Sequence, residues 1–143
     1  MDWNANLLFE IEAGGCEEHG RVTRAYVSGY KRARIHNSEL YPRERRCLVA
    51  NVNGAIAPGE AIKRVVWRME TVTAVAMSSP SIEGREARVL VEACYRGEAF
   101  IQCEIQLGNG EVYPQTFRIR VLDGPFFGNE NTSTGPQMLA IDA

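Results

Sequence analysis

Any metal site or catalytic centre in this chain of 143 residues would have to be assembled from four cysteines, two histidines and eighteen carboxylates. The run Cys16-Glu17-Glu18-His19 sets a thiolate and an imidazole close enough to share an ion, which is half of a zinc site. A closed site needs about four ligands, and no second Cys/His pair stands at a compatible spacing. The run therefore reads as a polar turn after Gly14-Gly15, and no metal is expected.

A nucleophilic centre fares no better. It needs a Ser or Cys beside a His that a carboxylate orients, yet His19 and His36 both fall in stretches without regular period and follow no nucleophile motif. The carboxylates mostly alternate with apolar residues, the pattern of a solvated sheet face rather than of two facing acids. Gly124, Gly128 and Gly135 are scattered among polar residues with no helix behind them, so no phosphate loop is present. The expectation is a non-enzymatic chain with no catalytic residues and no cofactor.

No run approaches the length of about 18 apolar residues that a membrane span requires, and Met1-Asp2-Trp3-Asn4 lacks the basic and apolar regions of a signal peptide. Synthesis in a reducing cytoplasm is expected, with four free thiols. Alternation also puts Cys103 on an apolar face and Cys94 on a mixed one, so the two cannot be bridged.

The elements that would position these residues are strands. Leu7, Phe9 and Ile11 alternate with polar partners up to Gly14-Gly15; residues 21 to 29 give a second candidate, and Cys47 to Val52 a third. Ile62 to Met69 puts Val65, Trp67 and Met69 on one face, with Trp67 the expected central side chain. Val72 to Met77 and residues 87 to 95 follow.

Ala99, Ile101, Cys103, Ile105 and Leu107 then face Tyr113, Phe117, Ile119 and Val121 across Gly108-Asn109-Gly110. A two-residue loop would set Ile101 against Arg118. A three-residue loop sets Ile105 against Tyr113 and Ile101 against Phe117, with Gly110 in the left-handed position of a bulge, so parity selects the latter. Pro114 cannot donate to a ladder and needs an edge, a bulge or a non-bonded position. Several short strands with no amphipathic helix predict an all-β antiparallel sandwich. Its core spans residues 47–122, preceded by a strand and arm over 1–46 and followed by a tail over 123–143.

The net charge of −2 conceals a strong asymmetry: −5 over residues 1 to 20, +6 over residues 21 to 46 and −3 over the rest. The basic stretch from Gly29 to Arg46 has no clean period and reads as a long arm or loop. Fourteen of the sixteen basic residues are Arg, the side chain suited to planar contact with carboxylates and aromatic rings. The Arg-rich stretch from Arg21 to Arg46, interleaved with Tyr26, Tyr30 and Tyr41, admits three readings: a nucleic-acid surface, a solvated loop, or a protein interface. Flanking acidic segments would repel a polyanion, so neither nucleic acid nor membrane is expected as partner. As candidate partner contacts the arm offers Tyr30, Arg32, Arg34, Tyr41, Arg43, Arg45 and Arg46. After the polar run that follows Asp123-Gly124-Pro125, the apolar cluster at Met138, Leu139 and Ile141 reads either as a frayed tail or as a peptide docking on a neighbouring subunit.

Ile62-Lys63-Arg64-Val65-Val66-Trp67-Arg68-Met69, Tyr95 to Cys103 with its Gly-x-Ala-x-Ile-x-Cys run, and Gly110 to Val121 resemble the bacterial Ig-like modules of phage structural proteins. The stretch from His36 to Arg46, running on into Val49 to Gly54, is similar to the fiber-tail adaptors of short-tailed bacteriophages. The resemblance implies an Ig-like β-sandwich that joins tail fibers to the tail tube in several symmetric copies. Its partners would be the fiber's amino terminus, other tail adaptor or nozzle subunits and copies of itself, and its location the virion tail. A capsid decoration protein and a free Ig-like binding module are the alternatives.

Overall fold

The structure is a computed structural model that describes residues 21–32, 34–69, 74–122 and 136–143. Among them nine strands follow in chain order: β1 Val22–Tyr26, β2 Ile35–Leu40, β3 Arg45–Asn51, β4 Ile62–Met69, β5 Val75–Glu83, β6 Glu86–Ala93, β7 Gly97–Leu107, β8 Val112–Val121 and β9 Gln137–Asp142. They form two sheets, ordered β1-β3-β6-β5 and β2-β8-β7-β4-β9, which pack face to face as a β-sandwich. The all-β sandwich expected from alternation is the fold observed.

The core lies between the sheets and is supplied by alternate residues. Along β7 and β8, Ile101, Cys103 and Ile105 face inward with Tyr113, Phe117 and Ile119. Each such large apolar side chain contributes roughly 1.5 to 3 kcal/mol by leaving water. Trp67 is fully buried, with its ring 5.9 Å from that of Phe117. The β7–β8 hairpin has the register that parity demands: Ile105 pairs with Tyr113, Ile101 with Phe117, and Leu107 N–H donates to Glu111 O at 2.9 Å. Gly110 has φ +96°, a conformation that L side chains avoid. Pro114 sits opposite Glu104 in β7, one place beyond the bonded Ile105–Tyr113 position, and ahead of the β2 register that begins at Thr116, so no ladder bond is lost there.

Three stretches differ from their sequence reading. Residues 35–40, expected within a loose arm, are β2, an edge strand of the second sheet, while β3 at Arg45–Asn51 is the strand expected from Cys47. The chain runs up β1 in the first sheet, crosses to descend β2 in the second and returns up β3, so β1 and β3 pair in parallel, as do β2 and β8. The period of β2 is hidden because it is an edge strand whose inward row, His36 and Ser38, lines a polar seam, leaving Leu40 its single fully buried residue. β5 continues past Ser78-Ser79-Pro80 because a bulge between Ser78 and Ser81, with Ser79 at φ 53°, absorbs the proline. The apolar carboxy-terminal cluster is β9, paired to β4 of its own chain, with Leu139 and Ile141 against the core and Met138 exposed.

The expected strand at Leu7–Ile11 and the Cys16–His19 run lie outside the described residues. Of the remaining cysteines, Cys94 and Cys103 are free, as their opposite faces require, and burial raises both thiols' pKa. Cys47 is disulfide-bonded, which corrects the expectation of four free thiols.

Candidate functional site: the β1–β2 edge of the sandwich

Loops 27–34, 52–61, 84–85 and 108–111 gather at one end of the sandwich. The first of them is built to present Tyr30. Ser28 starts a tight turn in which its Oγ accepts from Tyr30 N–H at 3.2 Å and its carbonyl accepts from Lys31 N–H at 3.3 Å. Lys31 adopts φ 57°, a left-handed conformation that costs a non-glycine residue roughly 1 kcal/mol. It is held there from the neighbouring loop: Lys31 Nζ donates to Glu111 Oε2 at 3.1 Å and lies 5.5 Å from the centre of the Tyr113 ring. The hydrogen bond from Lys31 leads the causes that lower the Glu111 pKa. Tyr30 is 86% exposed at the apex of this braced turn.

Below the turn, edge strands β1 and β2 run side by side on opposite sheets without pairing to each other. Tyr26, Arg34, Ile35 and His36 line the open cleft between them. Tyr26 and Ile35 are 67% and 56% exposed, unusual for such side chains on a sandwich edge. Gln115, fully buried, donates from Nε2 to Arg34 O at 3.0 Å and so fixes the point where the loop enters β2. Arg32 and Arg34 are exposed and make no ion pair among the described residues. Further along the seam Arg46 closes the gap between the sheets, its Nη1 donating to Thr23 Oγ1 at 3.2 Å and Ser38 Oγ at 2.9 Å, its Nη2 to Glu44 Oε2 at 2.6 Å.

The candidate contacts read from the sequence thus separate. Tyr30, Arg32 and Arg34 come together at this end with Tyr26 and Ile35. Tyr41, Arg43 and Arg45 lie at the other end of the sandwich, in or beside the β2–β3 turn: Arg43 donates its backbone N–H to Ala93 O at 3.1 Å, and Arg45 pairs with Glu92 at 3.7 Å. Arg46 points inward as an internal clasp. Leu139 and Ile141 are committed to the core, and Met138 accepts from Arg68 at 3.8 Å. Sequence reasoning noted Tyr26 among the tyrosines of the Arg-rich stretch without placing it among the candidate contacts, and it missed Ile35 and Gln115. The one available signal was parity, since Tyr26 falls out of phase with the inward residues Thr23 and Ala25.

No group of three or more His, Cys, Asp or Glu among the described residues could hold a metal. His36, expected in an irregular stretch, lies in β2 with its ring edge-on to Phe117 at 6.0 Å.

No family model matches the chain, and no curated protein matches it. Similar solved structures include PbICP-C in complex with falcipain-2, at 10% identity and TM-score 0.47 over 72% of this chain and 100% of that one. They also include the cysteine protease inhibitor EhICP2 from Entamoeba histolytica, at 10% identity and TM-score 0.42 over 71% and 97% of the two chains. Amebosin is similar at 9% identity and TM-score 0.40 over 71% and 98%. With no family model or curated protein behind it, and with the first two of these structures named for a complex with falcipain-2 and for a cysteine protease inhibitor, the fiber-tail adaptor resemblance, with the tail function and virion partners it implied, is corrected. The residues that carried the Ig-like resemblance are strands β4, β7 and β8 with the β7–β8 hairpin, and those that carried the adaptor resemblance are edge strand β2, the turn after it and β3. Sandwiches of unrelated function share such elements, so they specify architecture and not activity.

Proposed function

We propose that this chain is a non-enzymatic protein-binding module whose contact surface is the β1–β2 edge. The observation that carries the reading is Tyr30, almost wholly exposed yet locked at the apex of a turn that Ser28, Lys31 and Glu111 brace. An aromatic ring held rigid before contact loses little entropy on binding, and Tyr and Arg dominate the energetics of protein interfaces. Arg32 and Arg34 flank it with positive charge that no described residue pairs, and Tyr26 and Ile35 extend the apolar area, which favours a partner surface that is apolar at its centre and acidic at its rim.

The test places a photo-crosslinking phenylalanine analogue at Tyr30 of the full chain, and at exposed Lys63 as control, in extract of the source cells. Adducts are expected from position 30 alone, and Arg32→Ala with Arg34→Ala should suppress them. Equal labelling from both positions would count against the reading. A cysteine protease, the class named for EhICP2, is a defined probe for the same assay. Its inhibition by the wild-type chain, relieved by Tyr30→Ala, would identify the partner class.

A further inference from the structure

The edges of the two sheets are not protected alike. β9 is held against β5 by the Gln137 side chain, which exchanges two hydrogen bonds with the Met77 backbone, and β5 carries a bulge and Pro80, devices that stop an edge from pairing further. β2 has neither a proline nor a bulge in its register with β8. Thr116 N–H donates to Arg34 O at 3.1 Å and Leu122 N–H to Leu40 O at 2.8 Å, so the even-numbered residues of this stretch turn their backbone groups towards β8. In a parallel ladder the residues between them turn theirs the other way. The N–H and C=O groups of Ile35, Asn37 and Glu39 therefore point along the open edge, and no described residue bonds them.

Beside this edge the cleft towards β1 offers two hollows that share His36. One is lined by Tyr26, Arg34 and Ile35, the other by Val22, Ser38 and Arg46. His36 and Ser38 are the inward residues of β2, so alternate side chains of a strand laid along β2 would enter the two hollows in turn, about 7 Å apart. Charge selects what such a strand carries. Arg24 and Arg46 in the cleft are paired with Glu86 and Glu44, whereas no described carboxylate pairs Arg34 or neighbouring Arg32. Glu39 is the one carboxylate among the described residues that line the two hollows. The excess is cationic, which favours an acidic segment and disfavours a second copy of the same edge.

We propose that the open β2 edge takes up an extended, acidic segment of a partner protein as a sixth strand of the five-stranded sheet, paired through the backbone of Ile35, Asn37 and Glu39. The inference rests on the β1–β2 edge being the contact surface and adds the form of the ligand. Main-chain bonds supply affinity whatever the sequence, while the hollows beside His36 select alternate side chains.

The probe is a displayed library of random dodecapeptides selected on the full chain, and the strongest binder is then synthesised with N-methyl groups on alternate residues, in either phase. Acidic binders are expected, held roughly tenfold or more weakly when one phase is methylated and equally well when the other is, since only every second amide of an added strand faces β2. Asn37→Pro removes an N–H that β8 does not use, and it should weaken binding to the same degree with little change in the thermal melt. The methylation test uses the wild-type chain, so it stands even if that variant does not fold. Binding indifferent to methylation in both phases but lost in Tyr30→Ala would refute strand addition and leave the contact surface standing. Binding indifferent to methylation, Tyr30→Ala and Arg34→Ala alike would sink both. A phase effect that folded Asn37→Pro leaves intact, recovery of no binder or only of basic ones, or a concentration-dependent dimer that Asn37→Pro breaks would each overturn the proposal.

Discussion

Gln137 pairs through its side chain with the backbone of Met77: Met77 N–H donates to Gln137 Oε1 at 2.8 Å, and Gln137 Nε2 donates to Met77 O at 3.1 Å. The carboxamide reproduces one rung of a β-ladder. Its own backbone is in register with Met69 on β4, so one residue ties the β9 edge of the second sheet to the β5 edge of the first. The sandwich is thereby closed on this side and open on the other, where β1 and β2 leave the cleft beneath Tyr30.

Gln137→Ala is expected to cost about 1 to 2 kcal/mol, the net value of two hydrogen bonds that hold edge groups. Chemical denaturation measures the loss, and hydrogen exchange locates it. The Met77 amide should exchange faster in the variant, and an unchanged rate would mean that Gln137 does not hold it.

Arg46 and Arg45 are neighbours with opposite expectations. Arg46→Ala removes three hydrogen bonds, one of them across the seam to Ser38, and leaves partly buried Glu44 with less compensation, for a loss of about 2 kcal/mol or more. Arg45 has only a long contact with exposed Glu92, and Arg45→Ala should change stability by less than about 0.5 kcal/mol. Equal losses in parallel melts would show that the clasp is not formed.

Glu86 makes stability depend on acid. Burial alone would raise its pKa, but hydrogen bonds from Arg24, Asn51 and Arg88 outweigh it and hold the carboxyl at about 2, below the ordinary 4.5. A carboxyl whose pKa is depressed by folding stabilises the fold while it is ionised, and that contribution is lost as pH falls through 4.5 towards 2. Denaturation curves at about pH 6 and pH 3 should diverge for the wild type and diverge less for Glu86→Gln. The same pH response in both proteins would place the acid sensitivity elsewhere.

Trp67→Ala should cost about 3 to 5 kcal/mol through the cavity left beside Phe117. Trp67→Phe should cost less, because it also removes a buried indole N–H that has no acceptor. Thermal melts of the two variants decide this, and a smaller loss for Ala than for Phe would refute it.

What the sequence determined by itself is whatever period 2 expresses: the sandwich class, buried Trp67, and the β7–β8 register, where one slip would have turned Ile101 towards Arg118. These are central strands, and burial on one face writes itself into alternate residues. The edges were illegible for the converse reason. β2 buries one residue fully and lines a seam with His36 and Ser38, so an ordered strand looks like a polar arm, and β9 looks like a loose tail until β4 and Met77 accept it. The site shows the same division. Composition singled out Tyr30, Arg32 and Arg34, but Tyr26 and Ile35 join them only because the chain crosses between sheets from β1 to β2, and Arg46 leaves them because its guanidinium finds Thr23 beside it and Ser38 across the gap. The state of Cys47 was equally a tertiary matter, since a disulfide depends on which strands the fold brings within reach and not on the spacing of cysteines along the chain.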